Sequence, residues 1–279
     1  MSKRSDRISS RRRAAATAQS LAEERETAAR DREELKSAAE TIDALFRGKL
    51  RFYQSEKGYR FSLDAILLAH FTRTHRRDRV ADLGTGNGVI ALILAYLDPS
   101  LKITAVEVQR EMANYAFRNV RLNGLEERVK IVHGDVREIE AIAEPESYDV
   151  VACNPPYRQT TSGRVSPDEE RKIARHEVRA TLRDFLRAGS YLLPVKGGMS
   201  LIYPSIRSVD LLQAMRETGI EPKRLRMIHS FADAEACLVL AEGVKGGKSG
   251  IEVMPPLIVY EKDKTHTAEV VRMLEGSRE

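Results

Sequence analysis

Several features that would indicate a membrane protein, a metalloprotein or a nucleic-acid coat protein are missing from this 279-residue sequence. No apolar run approaches the roughly 20 residues of a membrane-spanning helix. Cysteine occurs only at Cys153 and Cys237, without metal-ligand spacing, so we predict buried thiols in a reducing compartment and no metal site. The formal net charge is only +5, which fits a polyanionic partner but not a coat protein.

The first 45 residues also lack glycine, proline and aromatic residues, and they begin with an arginine-rich stretch. Leu21, Ala28, Leu35 and Ile42 recur every seven residues, but a lone stripe favours a solvated helix over a coiled coil. We therefore predict that residues 1–45 form a charged extension that is helical or partly disordered. A transit peptide, a nuclear address, an arm that touches RNA phosphates and a tail without a role are all open interpretations.

Residues 46–75 are predicted to form a hairpin and a helix that cover the ligand site of the domain that follows. The aromatic run after Leu50 contains a turn signal, and Lys57-Gly58 is its predicted tip. Ser62 is then a predicted N-cap for a helix with Leu63 and Phe71 on its apolar face.

Residues 76–275 alternate between strand-like and helix-like segments. Short apolar runs such as Val80 to Leu83 are followed by helical patterns such as Val89 to Leu97 and then by the next apolar run. The strand-rich end, from Arg224 onward, leaves no room for long helices between all its strands. The sequence therefore predicts an α/β domain with a parallel, doubly wound sheet and an antiparallel edge.

A glycine-rich turn, Asp82 to Gly88, joins the first strand of this domain to its first helix, where open α/β sheets bind their ligands. Glycines at alternate positions allow close approach of a ligand to the backbone. A nicotinamide dinucleotide would bring an anionic pyrophosphate close to Asp82, whereas S-adenosylmethionine carries an ammonium and a sulfonium. The charge of Asp82 therefore favours S-adenosylmethionine, and Glu107 can accept hydrogen bonds from ribose hydroxyls with either cofactor.

Two further strand ends carry candidate site residues. Asp135 follows the third strand, where it can accept from an adenine amine or act as a helix N-cap. Asn154 to Tyr157, in the sequence Asn-Pro-Pro-Tyr, follows the run from Tyr148 to Cys153. Two prolines stiffen this loop, and the Asn154 amide oxygen with the Pro155 carbonyl suits an NH2 substrate. Tyr157 offers a ring face on which a planar base can stack, although the tetrapeptide alone also fits a stiff turn with a core tyrosine.

These motifs, in this order, resemble the amino-group methyltransferases of the Rossmann-like class I fold, which implies a mostly parallel seven-stranded sheet with an antiparallel edge. Within that class, Gln54, Gly58 to Asp64, Ala174 to Glu177 and Pro255 to Tyr260 resemble the bacterial tRNA1(Val) (adenine-37-N6)-methyltransferases. The resemblance covers about residues 45–275. It implies transfer of a methyl group from S-adenosylmethionine to an adenine amine beside the anticodon, with tRNA as partner, no membrane and a cytoplasmic location. Nothing in the sequence indicates an oligomeric state.

The predicted site comprises three sets of residues. The predicted cofactor-binding residues are Asp82, Gly84, Thr85, Gly86, Gly88, Glu107, Val108, Asp135, Val136 and Asn154. The predicted catalytic residues are Asn154, Pro155 and Tyr157. The predicted substrate-binding residues are Asn154, Pro155, Pro156, Tyr157 and Arg175, and Gln54, Phe61 and Asp64 are candidates to close over the methionine end of the cofactor.

Other functions fit part of the pattern. A protein-glutamine methyltransferase acting on a release factor would use the same acceptor pair for a side-chain amide, and an rRNA or DNA amino-methyltransferase would use it for a base. A nicotinamide-dependent oxidoreductase would use the glycine turn but leaves Asn154 to Tyr157 without a role. A non-catalytic RNA-binding module on the same fold is the remaining alternative.

Overall fold

A computed structural model describes residues 40–55, 62–156 and 180–277. The chain divides into two compact units, residues 1–41 with 55–59 and residues 42–54 with 60–279. Apart from residues 40, 41 and 55, which fall in the first unit, the described residues belong to the second unit. The predicted hairpin tip at Lys57-Gly58, the ring of Phe61 and most of the predicted extension lie outside the described residues.

The described residues form an alternating series of strands and helices. The strands are β1 (Glu40–Leu45), β2 (Leu50–Ser55), β3 (Arg79–Leu83), β4 (Lys102–Glu107), β5 (Val129–His133), β6 (Val150–Cys153), β7 (Gly198–Pro204), β8 (Ile220–His229), β9 (Ala236–Lys245), β10 (Glu252–Val253) and β11 (Leu257–Ile258). The α-helices are α1 (Leu63–Phe71), α2 (Val89–Leu97), α3 (Arg110–Leu122), α4 (Leu182–Leu192), α5 (Ser208–Glu217) and α6 (Ala268–Leu274).

Nine of these strands form one sheet in the order β10-β8-β9-β7-β6-β3-β4-β5, with β11 also paired to β8. The pairs among β7, β6, β3, β4 and β5 are parallel, whereas β9 runs antiparallel to both β7 and β8. The predicted α/β architecture, a mostly parallel sheet with helices on both faces, is confirmed. The antiparallel strand was predicted at the edge of the sheet, but β9 lies one position further in, between β7 and β8. The short strands β10 and β11 are additions to the seven predicted strands.

Two hydrophobic cores cover the two faces of this sheet. Successive residues of a strand point to opposite faces, so Val80 belongs to one core and Ala81 to the other. Helices α1 and α2 pack on the first face, and α4 and α5 pack on the second. Because both faces are buried, strands such as Val150–Cys153 are fully apolar instead of alternating with polar residues.

Strands β1 and β2 form a separate hairpin that is held against α3 by two asparagine side chains. Asn119 accepts from the Tyr53 N–H at 2.7 Å and donates to the Tyr53 carbonyl at 3.2 Å. Asn123 makes the equivalent pair of hydrogen bonds with the Arg51 backbone, at 2.9 and 2.7 Å. These amides pair with the free edge of β2 as a neighbouring strand would, which gives the edge partners that it otherwise lacks.

Two sequence predictions are wrong, one in this region and one at the other end of the sheet. Residues 40–45 form β1, so the helical or disordered extension does not continue to residue 45; pairing with β2 overrides the seven-residue pattern that ends at Ile42. The described hairpin turns at Phe46–Gly48, and a second turn at Lys57-Gly58 stays a prediction because these residues lie outside the described ranges. Cys237 is exposed, because β9 begins at the rim of the sheet, whereas Cys153 is buried as predicted.

Replacing Asn119 with alanine is expected to lower the free energy of unfolding by about 2–3 kcal/mol. The side chain is fully buried and binds the hairpin backbone, so its loss removes several hydrogen bonds and leaves buried groups without partners. Asn123→Ala is the matched control, since the Arg51 backbone it binds is exposed and water can replace the lost bonds. Chemical denaturation of both variants measures the difference, and equal losses would contradict the role assigned to Asn119.

Candidate active site

The carboxyl ends of four adjacent parallel strands bring most of the described residues of the predicted site to one edge of the sheet. Strand β3 lies between β4 and β6, with Leu83 in register with Val106 on one side and Cys153 on the other. Strand β5 continues the row beyond β4. The turns that follow these strands therefore share one edge, as the sequence predicts, and this is where ligands bind in open α/β sheets.

The glycine turn after β3 adopts a backbone that side chains other than hydrogen disfavour. Gly84, Gly86 and Gly88 have φ angles of +71°, +59° and +88°. A Cβ atom on Gly84 would lie 2.9 Å from the Phe185 ring of α4, and one on Gly88 would lie 3.2 Å from the Ala116 Cβ of α3. Packing on both sides thus fixes the turn. The sequence did not indicate a role for Phe185 at this site, because its pattern is that of any apolar residue on the buried face of a helix.

Asp82 is a fully buried carboxylate at the start of this turn. Its Oδ2 accepts from the Thr85 hydroxyl at 2.5 Å and from the Ala91 N–H at 3.2 Å. Its Oδ1 is buried and has no hydrogen-bond partner among the described residues. Burial, with a smaller contribution from the nearby Glu107, raises the pKa of Asp82 to about 7, against the lowering effect of the Thr85 and Ala91 hydrogen bonds.

Glu107, the last residue of β4, uses both carboxylate oxygens to hold backbone at the same edge. Oε2 accepts from the Gly86 N–H and Oε1 from the Gln109 N–H, each at 2.9 Å. The side chain is buried, with 4% of its surface exposed. Glu107 therefore ties the glycine turn to the turn after β4, in addition to any contact with a ribose.

Asn87 links the turn to the hairpin and to α3. Its Nδ2 donates to Gln54 Oε1 at 3.4 Å, and its carbonyl accepts from Asn119 Nδ2 at 2.9 Å. Its own Oδ1 is buried without a partner among the described residues. Sequence reasoning missed Asn119; an amide on the buried face of the amphipathic helix α3 was the available signal.

The chemistry of this lining fits S-adenosylmethionine. The two buried acceptors without partners, on Asp82 and Asn87, require hydrogen-bond donors, and one of them carries negative charge. A cofactor with an ammonium group and a sulfonium provides donors and the opposite charge, whereas a pyrophosphate provides neither. The fit therefore agrees with the predicted cofactor.

Asp135 acts as an N-cap, one of its two predicted roles. Its carboxylate accepts from the Arg137 N–H at 2.9 Å and binds the Arg137 guanidinium through both oxygens. The side-chain hydrogen bond from Arg137 is the main reason that the pKa of Asp135 is lowered. Of its neighbours, Val136 is buried and Val108, after Glu107, is 43% exposed. Contact of Asp135 with an adenine stays a prediction.

Asn154 and the two prolines follow β6, next to the glycine turn of β3. Asn154 is half-buried, Pro155 is buried and Pro156 is exposed. Burial raises the pKa of the preceding Cys153 thiol well above its usual value, so this cysteine stays neutral and is no nucleophile. Tyr157 and Arg175 lie outside the described residues.

A groove of about 530 Å³ lies at the opposite edge of the sheet, beside the amino ends of the strands. Arg79, Lys102 and Tyr148 contribute to its mixed polar lining, and none of the predicted site residues does. Within the described ranges, no helix is long and apolar enough to cross a membrane. The same part of the chain contains no group of three His, Cys, Asp or Glu side chains suited to holding a metal ion.

Comparisons with known proteins give a consistent picture. The family model described as the methyltransferase small domain matches residues 63–183. A protein from Parabacteroides distasonis named tRNA1(Val) (adenine(37)-N6)-methyltransferase is 27% identical over 194 residues, covering 70% of this chain and 80% of the relative. A protein of the same name from Porphyromonas gingivalis is 28% identical over 199 residues, covering 70% and 77%. Among solved structures, one from Agrobacterium tumefaciens, titled as a predicted O-methyltransferase, has a TM-score of 0.64 and 25% identity, covering 76% of this chain and 96% of its own.

Proposed function

Because this chain belongs to the class I methyltransferase family that includes the bacterial tRNA1(Val) (adenine(37)-N6)-methyltransferases, we propose that it methylates the exocyclic amine of an adenine in tRNA. The methyl donor is S-adenosylmethionine. The specific nucleotide that receives the methyl group is adenine 37, beside the anticodon of tRNA1(Val). The enzyme acts in the cytoplasm, where its proposed substrate is found.

One observation carries this proposal: an amine-accepting loop and an acidic cofactor turn follow adjacent strands. Asn154 and Pro155 come directly after β6, and Asp82 lies at the end of β3, its immediate neighbour in the sheet. Cα atoms of paired strands lie about 5 Å apart, so the two turns are close enough to serve one reaction centre. An oxidoreductase would have no use for the first loop, and an RNA-binding module would have no use for the second.

Asn154 and Pro155 position the amine. The Asn154 side-chain oxygen and the Pro155 carbonyl each accept one hydrogen of the adenine 6-amino group, which turns the nitrogen lone pair away from the ring. Pro156 cannot donate a backbone N–H to compete for these acceptors, and the two rings keep the loop stiff. The bound cofactor supplies an electrophilic methyl group. The same two oxygens stabilise the positive charge that develops on the nitrogen, so positioning and fixed dipoles provide the catalysis. The methylated ammonium is acidic enough to release its extra proton to solvent, so no charged base is needed.

The turns after β3, β4 and β5 would hold the cofactor. Asp82 would bind a cationic group, Glu107 the ribose hydroxyls and Asp135 the adenine amine, with Gly84, Gly86 and Gly88 providing close backbone approach. Val108 and Val136 would flank the adenine, and Thr85 would orient Asp82 through the hydrogen bond described above. Tyr157 would stack on the substrate base and Arg175 would contact phosphate.

A protein-glutamine methyltransferase is the second candidate. A glutamine side-chain amide presents the same NH2 group to Asn154 and Pro155, so the acceptor loop supports it equally. The names of the relatives support tRNA instead. The two candidates differ in the macromolecule that receives the methyl group, and one experiment separates them.

Incubation of the purified protein with S-adenosylmethionine and unmodified tRNA1(Val) transcript is expected to produce N6-methyladenosine. Nucleoside mass spectrometry after digestion measures the product, and a transcript with guanine at position 37 is the control that should stay unmethylated. A release factor with radiolabelled cofactor is the parallel substrate. Label on the release factor alone would overturn the proposal in favour of the second candidate.

A further inference from the structure

We propose that the outer face of α3, together with the adjacent side of β2, binds the phosphate backbone of the RNA substrate. This inference rests on the proposed function, because it assigns a docking surface to the same tRNA. The surface, called here the α3–β2 surface, consists of Arg51, Tyr53, Arg110, Phe117, Arg118 and Arg121. None of these residues belongs to the predicted site.

The α3 residues of this surface follow a helical stripe that faces solvent. Arg110, Phe117 and Arg121 are separated by seven and four residues, which places them on one side of a helix. All three are exposed, and 53% of the Phe117 side chain is accessible although it is a large apolar residue. At 1.5 Å per residue the stripe is about 16 Å long, enough to face several phosphates of a nucleic-acid strand.

Arginines and aromatic rings are paired on this surface. The Arg118 guanidinium lies 4.4 Å from the ring centroid of Tyr53 and 5.7 Å from that of Tyr115. The Arg121 guanidinium lies 5.9 Å from the ring centroid of Phe117. A cation–π contact of this kind holds the Arg121 guanidinium in place while leaving its N–H groups available, which suits it to bind phosphate.

Three arginines of this surface, Arg51, Arg110 and Arg121, differ from other exposed arginines in their ion pairing. Elsewhere, exposed arginines such as Arg183 and Arg216 form ion pairs with Glu217 and Glu221. By contrast, no carboxylate of the described residues forms an ion pair with Arg51, Arg110 or Arg121. Glu111, on the flank of the stripe, is the acidic neighbour within α3. The surplus of positive charge beside exposed rings matches RNA, which offers both phosphates and bases.

The position of the surface is also suitable. Arg110 begins α3 three residues after Glu107, so the stripe starts at the edge of the sheet that holds the candidate active site. Strands β4 and β6 are separated by β3 alone, which corresponds to roughly 10 Å across the sheet. The hydrogen bonds from Asn119 and Asn123 fix β2 to α3, so Arg51 and Tyr53 keep their place beside the helix. An RNA with one base at Asn154 can therefore extend its backbone along α3.

The test compares two double variants that remove equal charge. Arg51→Gln with Arg121→Gln removes two cations from the α3–β2 surface, whereas Arg76→Gln with Lys248→Gln removes two exposed cations elsewhere. Binding of tRNA1(Val) transcript is measured at several salt concentrations, and methylation is measured at varied tRNA concentration. Each lost phosphate contact lowers the slope of log affinity against log salt by about 0.7–0.9. For the first variant we expect a slope reduced by about 1.4–1.8 and roughly tenfold weaker binding, seen as a higher KM for tRNA. For the second variant we expect wild-type values.

Phe117→Ala tests the aromatic component separately. It is expected to weaken tRNA binding about five- to tenfold without changing the salt slope, because stacking on bases is not a counterion effect. Wild-type slope and affinity in the Arg51/Arg121 variant would overturn the docking surface while leaving tRNA methylation by the native protein intact. A native protein that methylates only release factor, and binds tRNA equally well with either double variant, would overturn both proposals.

Discussion

Asn154→Ala is expected to lower kcat for tRNA methylation by about 100- to 1000-fold. Alanine removes one of the two oxygens that accept the amine hydrogens. In other enzymes, loss of one preorganised polar group that stabilises charge in the transition state lowers the rate by a similar factor. The fold should persist, because Asn154 is half-buried in a turn that follows β6 and does not belong to either core. Single-turnover methylation of transcript measures the chemical step directly.

Asn154→Asp is the matched control for this prediction. Aspartate has nearly the same shape and retains an acceptor oxygen, so it should keep substantially more activity than alanine if hydrogen-bond acceptance is the role of Asn154. Thermal unfolding of both variants checks that the turn is intact. If kcat falls equally in the two variants, hydrogen-bond acceptance is not the role of Asn154.

Asp82→Asn is expected to weaken S-adenosylmethionine binding by about 10- to 100-fold at pH 8. A hydrogen bond to a charged group contributes roughly 1.5–3 kcal/mol, and each 1.4 kcal/mol corresponds to a factor of ten in affinity. Asparagine can still accept from Thr85 and Ala91, so the turn itself has a reason to stay folded. Isothermal titration calorimetry measures the affinity, and unchanged binding would remove Asp82 from the cofactor site.

The same carboxylate predicts how cofactor binding depends on pH. The pKa of Asp82 in the free protein is about 7, so below that pH the group is mostly neutral. A cationic ligand favours the ionised form, and binding must then release a proton. Affinity of the native protein should therefore fall between pH 7 and pH 5, by up to tenfold per unit, whereas Asp82→Asn should show a flat profile. Proton release appears in calorimetry as a dependence on the ionisation enthalpy of the buffer.

Stability of the free protein should change with pH in the opposite sense to cofactor affinity. The folded pKa of Asp82, about 7, lies above its ordinary value of 3.8, so the folded state holds more protons than the unfolded state between these values. The contribution of Asp82 to the free energy of unfolding therefore decreases as pH rises from about 4 to 7. Denaturation of the native protein and Asp82→Asn across this window isolates the contribution, since asparagine does not titrate.

Much of the fold was predictable from local pattern. Fully apolar runs such as Val150–Cys153 identify strands buried on both faces, and the unbroken apolar helix α2 identifies an element packed in the interior. The glycine turn was equally clear, since alternate glycines directly after a strand have few other uses. The predicted extension was continued too far, to residue 45, because β1 contains a residue of the seven-residue stripe and depends on pairing with β2 for its conformation.

Parts of the candidate site were not predictable because they depend on contacts between distant segments. Asn119 reaches Tyr53 across 66 positions of the chain. The packing of Phe185 beneath Gly84 joins helix α4 to the turn after β3. No periodicity in either segment identifies its partner.

The sequence by itself determined the order of chemical groups along the chain. A glycine turn with Asp82 comes first, then the carboxylates of Glu107 and Asp135, and then the amine-accepting loop at Asn154, each at or after the end of an apolar run. It thereby determined the kind of cofactor, since charge is a property of residue type. Only the tertiary structure decided that the turns after these four strands share one edge of the sheet and that burial of Asp82 raises its pKa to about 7. It also decided that the Asp135 carboxylate forms an ion pair with Arg137. Strand pairing and burial are properties of the assembled chain, because they arise from contacts that residues near in sequence do not make.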